Sequence, residues 1–123
     1  MRNVLIVEDS KAIRSMIRVA LEEQGSYFVV EATNGFEALK ALPTRDFDLI
    51  VTDINMPDIN GLELINFVKS NPAYRTIPLV IVSTEKSEED QKRGLALGAA
   101  GYVVKPFKKE DLLAAVAAAI GKT

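Results

Sequence analysis

The sequence predicts one α/β domain in which five βα units build a doubly wound parallel sheet. Three observations predict this fold class: five short apolar runs rich in β-branched residues recur along the 123-residue chain, each run is unbroken, and amphipathic segments separate the runs. An unbroken apolar strand is buried on both faces, which is typical of a parallel sheet covered by helices. The runs are residues 4–7, 28–30, 49–51, 79–82 and 102–104.

The segment between the first two runs has the periodicity of a helix with one buried face. Its apolar positions recur at the i, i+3, i+4, i+7 and i+8 spacing that places side chains on one stripe of an α-helix. Gly25 follows, and we expect it to end this helix as a C-cap. The positions expected on the buried face are Ile13, Met16, Ile17, Ala20 and Leu21.

Capping signals predict the second and fourth helices. Asn34 with Glu37 three residues later is a capping arrangement, and Pro43 stops the helix that it begins. Ser87 and Asp90 have the same spacing and predict a helix that runs to about residue 98. Both helices follow an apolar run, as a βα repeat requires.

The third and fifth helices are predicted from their apolar faces. The third covers residues 61–69 and is closed by Asn71 and Pro72, whereas the fifth is rich in alanine and ends at Gly121. Right-handed crossovers through such units give an open sheet, whose ligands bind beyond the carboxyl ends of the strands. The buried positions that we expect are Leu64, Ile65 and Val68 in the third helix, and Leu113, Val116, Ala117 and Ile120 in the fifth.

The composition excludes several classes of site. The chain has no Cys and no His, which excludes disulfide scaffolds, thiol nucleophiles, histidine general bases and Cys/His zinc sites. Any metal site must use oxygen ligands, which favours Mg²⁺, Ca²⁺ or Mn²⁺. The net charge is −2 and no basic run exceeds a pair, so we expect no direct binding to nucleic acid.

The length and the ends of the chain predict a single cytoplasmic domain over residues 1–123. The N-terminus lacks the pattern of a signal peptide, and the apolar stretch at residues 112–120 is far shorter than the roughly 20 residues that span a bilayer. The chain ends three residues after its last helical position. Either it acts without an attached output domain, or it is a fragment of a longer protein.

Chemically complementary side chains follow four of the five apolar runs. The second run ends at Glu31 without an obviously reactive group, so we expect it at an edge of the sheet. If the strand order is 2-1-3-4-5, the first and third strands are neighbours and the carboxylates after them converge on one pocket. The complementary residues are Glu8 and Asp9 after the first run, Asp53 after the third, Ser83 after the fourth and Lys105 after the fifth.

This set of groups predicts a magnesium site that takes part in phosphoryl transfer to a carboxylate. Three carboxylates in one cleft repel each other, and a hard divalent cation relieves the repulsion. A lysine and a serine hydroxyl supply donors for phosphate oxygens. Taken singly, each group has an ordinary explanation, because an Asp after a strand is usually a helix N-cap and a terminal Lys is usually solvated. Their coincidence at four strand ends favours the site.

Seven parts of the sequence form an ordered set of motifs: residues 4–9 (VLIVED), 48–57 (DLIVTDINMP), Gly61, 77–78 (IP), Ser83, 98–99 (GA) and 101–107 (GYVVKPF). The set resembles the receiver domain of two-component response regulators, in particular the stand-alone chemotaxis-regulator (CheY-like) form. The resemblance covers residues 3–120 and implies a flavodoxin-like sheet with the strand order 2-1-3-4-5. It also implies a signalling switch, not a metabolic enzyme, that receives its phosphoryl group from a histidine kinase or a phosphotransfer protein.

The resemblance further implies which residues hold the phosphoryl group and the metal. Asp53 would be the phosphoacceptor and a Mg²⁺ ligand. Asp9 would bind Mg²⁺ directly, Glu8 would act on it mainly through water, and Asn55 would contribute its backbone carbonyl. The family's phosphoryl state forms by transfer from a donor, so the chain would catalyse only its own phosphotransfer and dephosphorylation.

The remaining roles implied by the resemblance concern the switch. Ser83 and Lys105 would bind the phosphoryl oxygens, and Tyr102 would turn inward once Ser83 has moved. The surface of helix 4, strand 5 and helix 5 would then change and bind a downstream effector protein. The inactive form would be a monomer. The residues that would shape the surrounding loops are Pro57, Gly61 and Pro106, the last after a cis peptide bond.

Three positions are expected to tune the loss of the phosphoryl group. Asn55 and Glu85 match the chemotaxis regulators at positions that influence dephosphorylation, which suggests a short-lived phosphoryl state. Thr84 stands where relatives often have Ala or Gly, and its larger side chain would narrow the access of small phosphodonors and of water. We therefore expect fairly fast hydrolysis, tempered by Thr84.

Other functions on the same architecture fit the sequence less well. A flavodoxin-type nucleotide site needs a phosphate-cradling loop after the first strand, and residues 8–11 (EDSK) contain no glycine. A phosphatase with an Asp nucleophile needs a second acid two residues after Asp53, where this chain has Asn55. A receiver-like domain that binds partners without phosphorylation would not need the complete acceptor set.

Overall fold

The computed structural model describes residues 1–84 and 88–121 of the chain, which form five successive βα units. The predicted type and order of the elements are therefore confirmed. The strands are β1 (Arg2–Val7), β2 (Tyr27–Ala32), β3 (Leu49–Thr52), β4 (Leu79–Ser83) and β5 (Gly101–Val104). The helices are α1 (Lys11–Glu22), α2 (Gly35–Ala41), α3 (Gly61–Ser70), α4 (Glu88–Ala96) and α5 (Lys109–Gly121), and a turn of 3₁₀ helix, Leu42–Thr44, extends α2.

The five strands form one parallel sheet in the order β2-β1-β3-β4-β5, which confirms the order implied by the resemblance. β2 lies at an edge, as expected for the strand whose end carries no reactive group. In the centre of the sheet, Val7 of β1 pairs with Thr52 of β3. The residues that follow these two strands therefore begin at the same level of the sheet.

Alternate residues of the central strands point to opposite faces of the sheet and divide the core into two layers. Leu5 and Ile50 belong to the layer covered by α2 and α3, whereas Val4 and Leu49 belong to the layer covered by α1 and α5. Residues 4–7 of β1 are fully buried, as are all residues of β3. The unbroken apolar runs thus reflect burial on both faces, as predicted.

Side-chain caps fix the starts of the helices that lead away from the strand ends. Asn34 accepts a hydrogen bond from Glu37 N at 2.8 Å, as predicted, but the Glu37 carboxylate reaches Thr33 N rather than the N-cap residue itself. Asn60 and Glu63 form a reciprocal capping box at the start of α3, which the sequence analysis did not predict. Ser87, the predicted cap of the fourth helix, lies outside the described residues.

The predicted faces of two helices are partly wrong. The buried residues of α1 are Ile17, Ala20 and Leu21, whereas Met16 is 50% exposed. Met16 lies roughly a quarter turn from the centre of that stripe, so it does not face the core. The residue at the C-cap of α1 is Glu23, and Gly25 follows two residues later with a φ of 76°.

The alanine-rich helix α5 is rotated relative to its predicted orientation. The predicted residues Val116 and Ile120 are buried, but Leu112 and Ala119 take the places expected for Leu113 and Ala117. Because small side chains occur all around α5, its sequence does not define one apolar stripe. The face predicted for α3 is confirmed, since all three expected residues are fully buried. None of the helices in residues 1–84 and 88–121 has the length and apolar character needed to cross a membrane.

Candidate functional site

The carboxylates of Glu8, Asp9 and Asp53 meet at the carboxyl end of the two central strands. Glu8 and Asp9 directly follow β1, and Asp53 directly follows β3. Asp53 N donates to Val7 O at 3.0 Å, so the β1–β3 ladder continues into the site. Each of the three residues offers a carboxylate oxygen, and these oxygens all lie within 4.8 Å of one another. The convergence expected from the strand order is present in the structure.

Lys105 reaches the same pocket from the end of β5. Its Nζ lies 2.5 Å from Glu8 Oε1 and 3.5 Å from Asp53 Oδ2. The Lys105–Pro106 peptide bond is cis, as the resemblance implied. Lys105 N donates to the backbone oxygen of Ser83 at 2.8 Å, which joins the ends of β4 and β5. Lys105 therefore contacts two of the three clustered carboxylates.

Most of the side chains that form the pocket are buried where the strands end. Glu8 is 1% exposed, and Asp53, Ser83 and Lys105 are also buried, whereas Asp9 is exposed. Buried charges are stable only when they are paired, and here Glu8 and Lys105 pair directly. The exposed Asp9 is the acidic residue through which the pocket opens to solvent.

Burial raises the pKa of the Glu8 carboxyl above its ordinary value. The hydrogen bonds from Lys105 and from the backbone of Ser10 act in the opposite direction, and the negative charge of Asp53 adds to the rise. Desolvation is the largest of these causes, because the charged form of a buried carboxyl loses its hydration. The raised pKa of Glu8 thus reflects mainly its burial, with a smaller contribution from the neighbouring charge of Asp53.

The donor set fits a hard divalent cation. Mg²⁺ binds through carboxylate and carbonyl oxygens and retains several waters, and the three clustered carboxylates lie at an opening to solvent through Asp9. Asn55 N contacts Asp53 Oδ1 at 3.4 Å, which keeps the loop after β3 next to the acid. The oxygen ligands expected from the absence of Cys and His are therefore gathered at one place.

Gly61 lets the start of α3 approach the backbone of Asp53. A Cβ atom at position 61 would lie 2.2 Å from the Asp53 carbonyl oxygen, and Gly61 N donates to Ile54 O at 2.9 Å. No side chain larger than hydrogen fits this contact without a backbone shift. Pro57 lies in the exposed loop that connects β3 to α3, and the next residue, Asp58, has a φ of 65°.

Ser83 and Tyr102 stand on the same face of the sheet on neighbouring strands. Tyr102 pairs with Ile81, two residues before Ser83, and residues two apart on a strand point to the same side. Ser83 is buried at the end of β4, and Tyr102 is partly exposed and packs against the layer that contains Ile81. Thr84 is exposed and follows Ser83 directly. Glu85, one of the residues expected to tune dephosphorylation, lies outside the described residues.

An ion-pair network that was not predicted from the sequence lies beside the pocket. Glu31, which was not expected to contribute, accepts hydrogen bonds from Arg14 Nε at 2.9 Å and from Arg18 Nη1. Arg14 Nη1 also donates to the main-chain oxygen of Glu8 at 2.9 Å. The signal in the sequence was the pair of arginines at i and i+4 on the first helix, opposite a single acid at the end of the second strand.

Comparison with known proteins gives consistent results across the chain. Residues 4–117 match the family model described as the response regulator receiver domain. The chain is 36% identical over 110 residues to chemotaxis protein CheY1 of Helicobacter pylori, with 89% of each chain covered. The structure of chemotaxis protein CheY4 of Vibrio cholerae is similar with a TM-score of 0.89 and 38% identity, over 97% of this chain and 98% of that one.

A second curated relative is longer. The chain is 40% identical over 118 residues to a probable transcriptional regulatory protein of Picosynechococcus, which covers 90% of this chain and 46% of the relative. The chain therefore spans less than half the length of that protein.

Proposed function

Because the chain belongs to the response regulator receiver domain family, we propose that it is a phosphorylation-activated switch that accepts a phosphoryl group on Asp53. The observation that supports this most directly is the meeting of Asp53 with two further carboxylates and with Lys105 in one pocket. The domain has the CheY-like fold of two-component signalling proteins. It acts as a regulator and catalyses only its own phosphotransfer and dephosphorylation.

The donor is a phosphohistidine on a histidine kinase or a phosphotransfer protein, since the chain itself contains no histidine. An Asp53 carboxylate oxygen forms a bond to phosphorus while the phosphorus–nitrogen bond breaks. The departing imidazole nitrogen keeps the electron pair of that bond and takes up a proton. Lys105, whose Nζ lies 3.5 Å from Asp53 Oδ2, pairs with a phosphoryl oxygen in the product.

Asp9 and Asp53 would hold Mg²⁺ together with the backbone carbonyl of Asn55, and Glu8 would act through water. When bound, the ion neutralises part of the negative charge of the phosphoryl oxygens. The chain's own contribution is positional: Gly61 keeps α3 against the Asp53 backbone, and the ladder bond from Asp53 N to Val7 O fixes the acceptor beside β1. A rigid acceptor lowers the cost of reaching an in-line geometry with the donor.

The switch follows from the charge that the acyl phosphate adds, about −1.5 to −2 at neutral pH. Ser83 donates its hydroxyl to a phosphoryl oxygen, and Tyr102, on the same face of the neighbouring strand, moves into the space that Ser83 leaves. This is a shift between two packings of one fold. It alters the surface formed by α4, β5 and α5, which binds a downstream effector protein.

The similarity to the chemotaxis protein of Helicobacter pylori supports a chemotaxis-type regulator. In this proposal it acts alone in the cytoplasm, is a monomer before phosphorylation, and makes no direct contact to nucleic acid. The alternative is the receiver part of a longer regulator, which the similarity to the transcriptional regulatory protein supports. Both proposals place the same chemistry at Asp53.

The test is the intact mass of the protein after incubation with Mg²⁺ and either a small phosphoramidate or a phosphorylated histidine kinase. We expect one added phosphoryl group in the wild type and none in Asp53→Asn. Asp58→Asn is the matched control, because Asp58 lies in the exposed loop five residues later and should be phosphorylated like the wild type. A phosphoryl group retained by Asp53→Asn, or absent from the wild type with either donor, would refute the assignment.

A further inference from the structure

The guanidinium of Arg14 contacts the main chain of the acidic pocket, at the carbonyl of Glu8, and not a carboxylate of the cluster. Its Nη1 donates to Glu8 O at 2.9 Å, and its Nε donates to Glu31 Oε1 at 2.9 Å. We propose that Arg14 is a positioning residue that orients the Glu8–Asp9 peptide for binding of Mg²⁺, an inference that rests on the proposed function. It does not touch the phosphoryl group or the metal.

The arginine is held in place by its second contact. The Arg14 side chain is 15% exposed and that of Glu31 is 27% exposed, so the pair is partly protected from solvent. The guanidinium uses two donors that diverge in one plane, one toward β2 and one toward the end of β1. A lysine ammonium on a flexible stem does not reproduce this planar fork, so the geometry is specific to arginine.

The carbonyl that Arg14 holds determines how Asp9 leaves the strand. Glu8 C=O and Asp9 N–H belong to one planar peptide group, so fixing the oxygen fixes the direction in which the chain reaches Asp9 Cα. The other polar groups of Glu8 are already engaged, since its N–H donates to Ala32 O at 3.1 Å and its Oε2 accepts from Ser10 N at 3.0 Å. Arg14 thereby completes the set of contacts that orients this segment.

The positioning role and simple electrostatics predict opposite effects of removing Arg14. Arg14 is a cation near three carboxylates, so its loss should strengthen the attraction of the pocket for Mg²⁺ if only Coulomb forces mattered. If Arg14 orients the ligands, its loss should weaken Mg²⁺ binding, because removing the outer partners of metal ligands typically costs about 10- to 100-fold in affinity. Whether the affinity for Mg²⁺ rises or falls therefore distinguishes the electrostatic effect from the positioning role.

Arg18 provides a matched control. It also pairs with Glu31, through Nη1, and it is an arginine of the same helix four residues later. Its other pairing is with Glu22 at 3.2 Å, so its replacement removes a charge and two ion pairs without touching the Glu8 carbonyl. The comparison of Arg14→Met with Arg18→Met therefore isolates the contact to the main chain.

The experiment measures the dissociation constant of Mg²⁺ by calorimetry, without any phosphodonor, for the wild type, Arg14→Met, Arg14→Lys and Arg18→Met. The carbonyl ¹³C shift of Glu8 in metal-free protein reports the hydrogen bond itself. We expect about 10-fold weaker binding and a shifted Glu8 carbonyl resonance in Arg14→Met, an intermediate loss in Arg14→Lys, and binding within about twofold of the wild type in Arg18→Met. Urea unfolding in metal-free buffer confirms that each variant is folded; if Arg14→Met is not, Arg14→Lys alone carries the comparison.

The inference would be overturned if Arg14→Met bound Mg²⁺ as tightly as the wild type or more tightly. If only Arg14→Lys folds, the same criterion applies to that variant. An equal loss of affinity in Arg18→Met would also overturn it. Both results would leave the proposed function intact, since the wild type would still bind Mg²⁺. A wild type that binds no Mg²⁺ would instead contradict the proposed function.

Discussion

The ammonium of Lys105 lies 2.5 Å from Oε1 of the Glu8 carboxylate, and both side chains are buried. The same ammonium lies 3.5 Å from Asp53 Oδ2, so one cation serves two acids of the cluster. In the metal-free protein, Lys105 is therefore the main counter-charge of the pocket. A bound Mg²⁺ would supply positive charge at the same place, so the metal and the lysine compete for the carboxylates.

Replacement of Lys105 tests this competition. We expect Lys105→Met to bind Mg²⁺ several-fold more tightly than the wild type, because a competing cation has been removed from the carboxylate cluster. We also expect the metal-free variant to lose about 3 kcal/mol of unfolding free energy, because the buried carboxylate of Glu8 loses its ammonium counter-charge. Calorimetry with Mg²⁺ and urea unfolding in chelator measure the two effects.

The control for this substitution is Lys108→Met, an exposed lysine three residues later. It carries the same change in charge and side-chain length, and it should alter both quantities only slightly. Equal effects of the two substitutions would show that net charge, and not the contact with Glu8, governs metal affinity.

Gly61→Ala tests the packing of α3 on the acceptor. A Cβ atom at this position would lie 2.2 Å from the Asp53 carbonyl oxygen, so the helix start or the loop after β3 must shift. We expect a loss of about 1–3 kcal/mol in urea unfolding and slower phosphorylation of Asp53 by a small phosphoramidate. Gly121→Ala, where the added Cβ has nothing within 4 Å, should change stability by less than about 0.5 kcal/mol and leave the rate unchanged.

Thr84→Ala tests whether the residue after Ser83 limits access to the pocket. Thr84 is exposed at the end of β4, and removing its hydroxyl and methyl group opens the approach of water to the acyl phosphate. We expect the phosphoryl group to be lost several-fold faster, as followed by the mass of the phosphorylated protein over time. Thr76→Ala, an exposed threonine before β4, is the control, and an unchanged or slower decay in Thr84→Ala would exclude this residue as a barrier.

The fold was predictable because the strands are unbroken apolar runs and the helices carry caps. The runs that became β1 and β3 are buried on both faces, and no alternative pattern competes with this reading. The face of α3 was also predictable, since Leu64, Ile65 and Val68 form a narrow stripe. The face of α5 was not, because alanine fits a core position and an exposed position almost equally well.

The convergence of the carboxylates in one pocket was predictable only once the strand order was assumed. The strand order decides whether Asp53 follows a strand next to β1, and the spacing of apolar residues does not determine that order. The resemblance to the receiver family supplied the strand order. The contact of Arg14 with Glu8 O could not be predicted, because hydrogen bonds from a long side chain to a main-chain carbonyl leave no pattern in the spacing of residue types.

Asp53→Asn should stabilise the metal-free protein, although it alters a buried residue. Asp53 gains little from its surroundings, since its contacts with Lys105 and with Asn55 N are long, at 3.5 Å and 3.4 Å. Its charge also repels Glu8 and contributes to the rise in the pKa of that carboxyl. We expect a higher free energy of unfolding near neutral pH, measured by urea unfolding in chelator, because the repulsion between Asp53 and Glu8 is removed.

The pH dependence of this gain follows from the same repulsion. The folded pKa of Glu8 is raised, so folding takes up a proton between the ordinary pKa and the raised one, and stability falls as the pH rises through that window. Without the charge of Asp53 the pKa of Glu8 moves back toward its ordinary value. The gain from Asp53→Asn should therefore be largest above the raised pKa and shrink as the pH falls and Glu8 becomes protonated. Asp58→Asn, outside the cluster, should show no such profile, and a destabilised Asp53→Asn at neutral pH would mean that Asp53 is held by attraction in the pocket.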